Sequence, residues 1–183
     1  MAENFDPITG LEGEDNMGGY KDYALWYPKR HFSAVPKLPA NKVADADYVT
    51  AAGAFVPKTV GAKPIYIECT PASVKYGAPS QGEVEGQSFA QQGELYRAGD
   101  KVSYASLARR HNNESGYLVL ENTNDKQIMV GQPGLEVTLK FEFEGGQKRA
   151  DKKGYKITFA ADSVSPVVYL ATPIDIEDLL AES

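Results

Sequence analysis

The sequence predicts a mainly β protein: an antiparallel β-sandwich or half-barrel with one short flanking α-helix and an extended N-terminal arm and loop. Three observations predict it. Leu135, Val137, Leu139, Phe141 and Phe143 alternate without a break with Glu136, Thr138, Lys140, Glu142 and Glu144. Successive side chains of a strand point to opposite faces, so this segment buries one face and offers a charged one. The alternation returns at Tyr155, Ile157 and Phe159, and a helical pattern with end signals occurs once, between Gly99 and Gly116.

Taken in order, residues 1–22 are acidic, carry Gly18-Gly19 and read as a flexible arm. An aromatic strand runs from Tyr23 to Tyr27 and is stopped by Pro28. Residues 28–63 hold Pro36, Pro39, Pro57, Gly53 and Gly61 with little periodicity and read as a long loop. Such a loop is either functional and ordered against a partner, or an irregular excursion carrying one or two short strands. Ile65–Thr70 and Ala72–Tyr76 read as strands split by Pro71, and Glu83–Tyr96 as a longer polar strand weakened by Gly86 and Gly93.

Asp100 is placed to cap the helix, whose Val102, Leu107, Ala108 and His111 fall near one face. Arg109 and Arg110 complement the dipole in its last turn, and Asn112-Asn113 and Gly116 end it. Tyr117–Asn122 and Gln127–Val130 form a hairpin around Thr123-Asn124-Asp125. The long alternating strand, a basic turn from Gly145 to Gly154, the Tyr155–Phe159 strand and Val167–Leu170 complete one domain over residues 23–172. Residues 173–183 are an acidic tail with a helical turn at Ile176–Leu180.

The 183 residues carry a formal net charge of −6. A protein that grips nucleic acid electrostatically needs surplus Lys and Arg, so that class is excluded. The single Cys69 excludes an internal disulfide and a cysteine-rich metal site, and its neighbours Ile65, Tyr66 and Ile67 mark a buried strand position. Met1–Asn4 open without a basic segment leading into an apolar run, and no stretch has the roughly 18 apolar residues of a membrane span. A cytoplasmically made chain without membrane insertion is expected.

Catalytic chemistry has no visible centre, and the sequence predicts a non-enzyme without cofactor or metal. His31 and His111 lie apart without nearby Cys or His ligands. The serines lack a nucleophile-elbow context, and no glycine-rich loop carries the Lys and Ser/Thr of a phosphate cradle. Asp45 and Asp47, or Asn122, Asn124 and Asp125, could supply oxygen ligands but lack the twelve-residue calcium loop with its closing Glu, and the second group reads as turn chemistry. Glu136, Glu142 and Glu144 share one strand face, whereas a glycosidase sets its carboxylates across a cleft. The cationic concentration is Lys148, Arg149, Lys152 and Lys153. It reads as a charged hairpin tip, or as a loop reaching an acidic neighbouring subunit.

From Gly86 to Leu170 these segments follow one another in a recognisable order. Gly99-Asp100, the helix, Asn112-Asn113 and the hairpin ending at Val130-Gly131 come first; then the alternating strand, Asp151-Lys152-Lys153-Gly154-Tyr155-Lys156-Ile157-Thr158-Phe159, and Pro166 with Tyr169. That order resembles the tail-tube (major tail) proteins of bacteriophages and prophages, particularly those of Bacteroides-like hosts. The resemblance implies a structural virion protein, assembled in the host cytoplasm. Its hexameric rings would stack into a tube through which DNA passes without specific binding. Implied partners are further copies of the chain and other tail proteins: tape measure, tail terminator and sheath. On this reading Glu136, Thr138, Lys140, Glu142 and Glu144 face the lumen, and Lys148, Arg149, Lys152 and Lys153 reach between subunits. Two other readings remain open: a capsid-decorating or head–tail joining protein, and a ligand-binding β-domain using the dense aromatics Tyr20, Tyr23, Trp26 and Tyr27.

Overall fold

The structure is a computed structural model that describes residues 17–148 and 151–181. The chain is mainly β, as the alternation predicts. Strands β1 (Tyr20–Pro28), β2 (Phe32–Ala34), β3 (Thr50–Ala51), β4 (Val56–Pro57), β5 (Ile65–Glu68), β6 (Lys75–Gly77) and β7 (Ser80–Gln81) come first. Then follow β8 (Ser88–Ala98), helix α1 (Val102–His111), β9 (Ser115–Asn122), β10 (Gln127–Val130), β11 (Val137–Glu144), β12 (Gly154–Ser163), β13 (Tyr169–Leu170) and helix α2 (Ile176–Ala181).

The main sheet runs β3-β13-β10-β9-β11-β12-β8-β6, with β1 joining β9 to β5 and β7 joining β8; β2 and β4 pair separately. Every pair is antiparallel except β13 with β3. β9 is the hub. It carries β1 along one edge, while its other edge is shared by β10 over Leu118–Glu121 and β11 over Ser115–Gly116. The sheet curls but does not close into a barrel. Between β1 and β8 the gap is bridged by Cys69 N–H donating to Asp22 O and Thr70 N–H donating to Tyr96 O, both at 2.8 Å.

Inside the curl lies a core of Ala24, Trp26, Ile67, Leu95, Leu118, Leu120, Ile128, Val130, Val137, Leu139, Ile157 and Phe159. A second cluster, on the outer face around β9, joins Leu25, Tyr27, Tyr117, Val119, Met129 and Val168 to Phe32 from the long loop. The loop is tied down by rings: Phe55 stacks on Tyr27 at 3.7 Å and meets Phe32 edge-on at 6.1 Å. Within residues 28–63 the loop carries three short strands, of which β3 extends the main sheet.

Several boundaries differ from the sequence expectation for identifiable reasons. β1 starts at Tyr20, because Tyr20 pairs with Asn122 and packs on Tyr76, so the last residues assigned to the arm belong to the sheet; residues 1–16 lie outside the described residues. Asp100 does not cap α1; Lys101 holds that position without a side-chain bond, and Asp100 pairs with Lys153 instead. Val102 is exposed, while Leu107 and His111 face inward. Gly116 does not end the helix but lies in β9, where a Cβ would overlap the Tyr27 carbonyl and sit 2.8 Å from the Trp26 ring. β11 begins at Val137 because Gln132 and Leu135 exchange backbone bonds of 2.9 and 2.8 Å around Pro133-Gly134, leaving Leu135 at the surface. The acidic tail is docked: Ile174 N–H donates to Gln127 Oε1 at 2.7 Å, and Ile176 and Leu179 pack on the outer cluster.

Candidate functional site

The candidate lumen residues belong to the face of the sheet opposite the inner core, and strand pairing widens that face beyond β11. Thr138, Ala160, Gln92 and Gly77 lie side by side across β11, β12, β8 and β6. The next row is Lys140, Thr158, Glu94 and Lys75, followed by Glu142, Lys156 and Tyr96, then Glu144, Gly154 and Ala98. Four of the five residues singled out from the sequence, Thr138, Lys140, Glu142 and Glu144, therefore share one surface. Glu136 sits apart, at the junction with β9: its Oε1 lies 2.6 Å from Lys29 Nζ and accepts Gly134 N–H at 3.1 Å. Burial alone would push its carboxyl up, but those bonds outweigh it and hold the group below its ordinary value.

Strand order changes the electrostatic character of this face. β11 contributes Glu142 and Glu144 against Lys140, while its neighbours add Lys75 and Lys156 against Glu94 and Asp162, so three lysines meet four carboxylates. Glu94 bridges Lys75 at 2.6 Å and Lys156 at 3.1 Å, and these partners hold its carboxyl below the usual value. The face is mixed in sign and partly paired rather than purely carboxylate-lined. Lys75, Glu94 and Lys156 are the members that reading β11 alone missed. Their signal was present in the polar positions of the Glu83–Tyr96 and Tyr155–Phe159 segments, but only the pairing order unites them.

Two grooves of about 530 and 520 Å³ run along this face and share Lys75 and Glu94. The second is bounded by Glu144, Lys152, Lys153 and Lys156, so two of the basic-turn lysines meet the end of the charged face. Lys148 lies at the exposed turn, where its N–H donates to Asp151 Oδ2 at 2.7 Å; Arg149 lies outside the described residues. On the opposite face burial fades along β11: Val137 and Leu139 are buried, Phe141 is half-buried, and Phe143 is 48% exposed beside Tyr155 and, through it, Tyr104 of α1.

The other residues weighed for chemistry are accounted for locally. Asp47 Oδ2 accepts Val43 and Ala44 N–H, and Asn122 Oδ1 accepts Asn124 and Lys126 N–H, both of which are turn bonds. His111 Nδ1 pairs with Glu114. Among the described residues no three His, Cys, Asp or Glu side chains converge as a metal site, and no helix is long and apolar enough to cross a membrane. The aromatics that a ligand-binding platform would use are engaged within the fold: Trp26 and Tyr27 are buried, the half-buried Tyr23 stacks on Tyr66 at 5.4 Å, and the half-buried Tyr20 meets Tyr76 at 6.0 Å. The chain matches no protein-family model, no curated protein and no solved structure.

Proposed function

We propose that the chain is a structural, non-enzymatic subunit of a phage-type tail tube, assembling with copies of itself into stacked rings whose channel passes DNA. The observation that carries this reading is the two-sided ribbon β8–β12–β11. One side is built into the core by Leu95, Leu139, Ile157 and Phe159, while the other, with Thr138, Lys140, Glu142, Gln92 and Ala160, is polar and left uncovered by the described chain. A broad polar sheet face backed by a packed layer is what a channel wall requires. Lys75, Lys140 and Lys156 are interspersed on it with Glu94, Glu142, Glu144 and Asp162, so phosphates meet no broad cationic surface and DNA would slide rather than adhere. Open sheet edges suit lateral association, because joining strands of neighbouring copies removes unpaired backbone groups. Burial of Trp26 and Tyr27, and the ring contacts that engage the half-buried Tyr20 and Tyr23, weaken the support for a ligand-binding platform.

Negative-stain microscopy of the purified chain tests the reading. Rings or tubes with a central channel are the expected result. A monodisperse monomer at high concentration, measured by sedimentation, would refute it and leave a decorating or head–tail joining role, which needs no self-polymerisation.

A further inference from the structure

β5 is paired on one edge only. Its Ile67 and Ile65 bond toward β1, as the adjoining Cys69 N–H bond to Asp22 O fixes. The backbone N–H and C=O groups of Tyr66 and Glu68 therefore point outward and have no partner among the described residues. Beside this edge runs α1, and between them lies a slot of about 510 Å³ bounded by Ile65, Tyr66, Tyr104, Leu107 and Arg110. An open strand edge next to a helix is the geometry by which extended segments are captured as an added strand. Arg110 also lines a second groove of about 570 Å³ together with Lys29, Arg30 and Lys58. Lys29 and Arg30 are internally paired with Glu136 and Glu114, whereas Lys58 and Arg110 have no carboxylate partner among the described residues. The slot and the groove thus share Arg110: the slot offers Ile65, Tyr66, Tyr104 and Leu107 with free backbone groups, with Glu68 on its lining, and the groove is cationic.

One segment of the chain has the complementary order. Phe5, Pro7, Ile8 and Leu11 precede Glu12, Glu14 and Asp15, and residues 1–16 contain no Lys or Arg. Laid antiparallel to β5, it would place its apolar residues in the slot and its acids on Lys58 and Arg110. The copy to which it belongs follows from reach. Met17 O is held by Thr123 Oγ1 at 2.7 Å, beside the start of β1, whereas the cationic groove begins just past the end of that nine-residue strand. At roughly 3.3 Å per residue β1 spans about 30 Å. Glu12, Glu14 and Asp15 precede Met17 so closely that an extended chain carries them at most about 17 Å. That short reach, set against a groove at the far end of β1, points to a second copy as the source of the acidic run.

We propose that residues 5–15 of one copy add as a strand to the β5 edge of a second copy and deliver Glu12, Glu14 and Asp15 to its Lys58 and Arg110. The contact is head to tail, and it deepens the assembly reading on which it rests by naming a joint between subunits. The test titrates a fluorescent peptide of residues 1–16 with the full chain, held below its assembly concentration, and reads anisotropy. The peptide is expected to bind, and the double variant Lys58→Glu/Arg110→Glu to weaken binding at least about tenfold, since close charge pairs of this kind are worth that much or more. A peptide with Lys at positions 12, 14 and 15 should fail on the unmodified chain and bind the double variant, which also shows that the variant is folded. No peptide binding, or binding indifferent to these charges, overturns the contact. The two readings fail separately: peptide binding without rings or tubes sinks the tube, and tubes with an indifferent peptide sink this joint.

Discussion

Leu139→Ala tests the two-faced ribbon most directly. Leu139 is 2% exposed, faces Phe159 across the β11–β12 ladder and packs in the inner core. Truncating a fully buried leucine removes its transfer free energy and leaves a cavity, a cost of about 2–5 kcal/mol. For a domain of this size each kcal/mol lowers Tm by roughly 2–4 °C, so a mid-range cost lowers it by about 7–14 °C. Lys140, the next residue, lies on the uncovered face, and Lys140→Ala should change stability by no more than about 0.5 kcal/mol. Phe143→Ala should fall between them, because half of that ring already meets water. Thermal unfolding followed by far-ultraviolet circular dichroism, on dilute protein so that assembly does not contribute, gives all three shifts. Equal shifts for Leu139→Ala and Lys140→Ala, or a reversed order, would refute the assignment of faces and the channel-wall argument with it.

Three further outcomes follow from the packing. Gly93→Ala should cost several kcal/mol or abolish folding, because a Cβ there overlaps the Lys75 carbonyl and lies 2.5 Å from the Phe159 ring, whereas Gly77→Ala on β6 meets nothing and should fold normally; yields and urea midpoints compare the two. Glu121 accepts bonds from Lys21, Tyr23 and Gln127, which outweigh its burial and hold its carboxyl below the ordinary value. Its stabilising share is therefore present above the unfolded-state value and lost as pH falls through the folded one, so Glu121→Gln should cost about 1–3 kcal/mol near neutrality and flatten the acid limb of a stability–pH curve. A parallel acid limb in the variant would contradict this. Burial pushes the Cys69 thiol up to about 12, so an aromatic disulfide reagent should label nothing in the native chain and one thiol after denaturation; rapid native labelling would contradict the core placement.

The sequence made legible whatever is local. The β9–β10 hairpin, the β11–β12 pair and α1 were all readable because period and turn chemistry act within a dozen residues. Asn122 and Asp151, for instance, close their turns with their own side-chain oxygens. What escaped is what distant pairing decides. β3 is two residues long and exists because Thr50 and Ala51 find β13 in parallel register. Asp100 has the chemistry of a cap, but Lys153 competes for it across the sheet. The polar face reads as acidic on β11 alone and becomes mixed in sign once β12, β8 and β6 bring Lys156, Asp162, Glu94 and Lys75 alongside.

The hub position of β9 governs the order in which this chain can acquire its shape. β1, made before β9, has Leu25 beside Val119 and Trp26 beside Leu118, so its inner edge stays unsatisfied until the ribosome has passed Asn122. High contact order of this kind slows folding, because loop-closure entropy is spent before the distant partner arrives. A nascent chain holding only β1 to β7 would expose Trp26, Leu25 and Ile67 with nothing to cover them, and early chaperone engagement is the natural outcome. Truncations ending before Asn122 should accordingly aggregate. A circular permutant that begins at α1 would place β9 ahead of β1 and should fold with less delay.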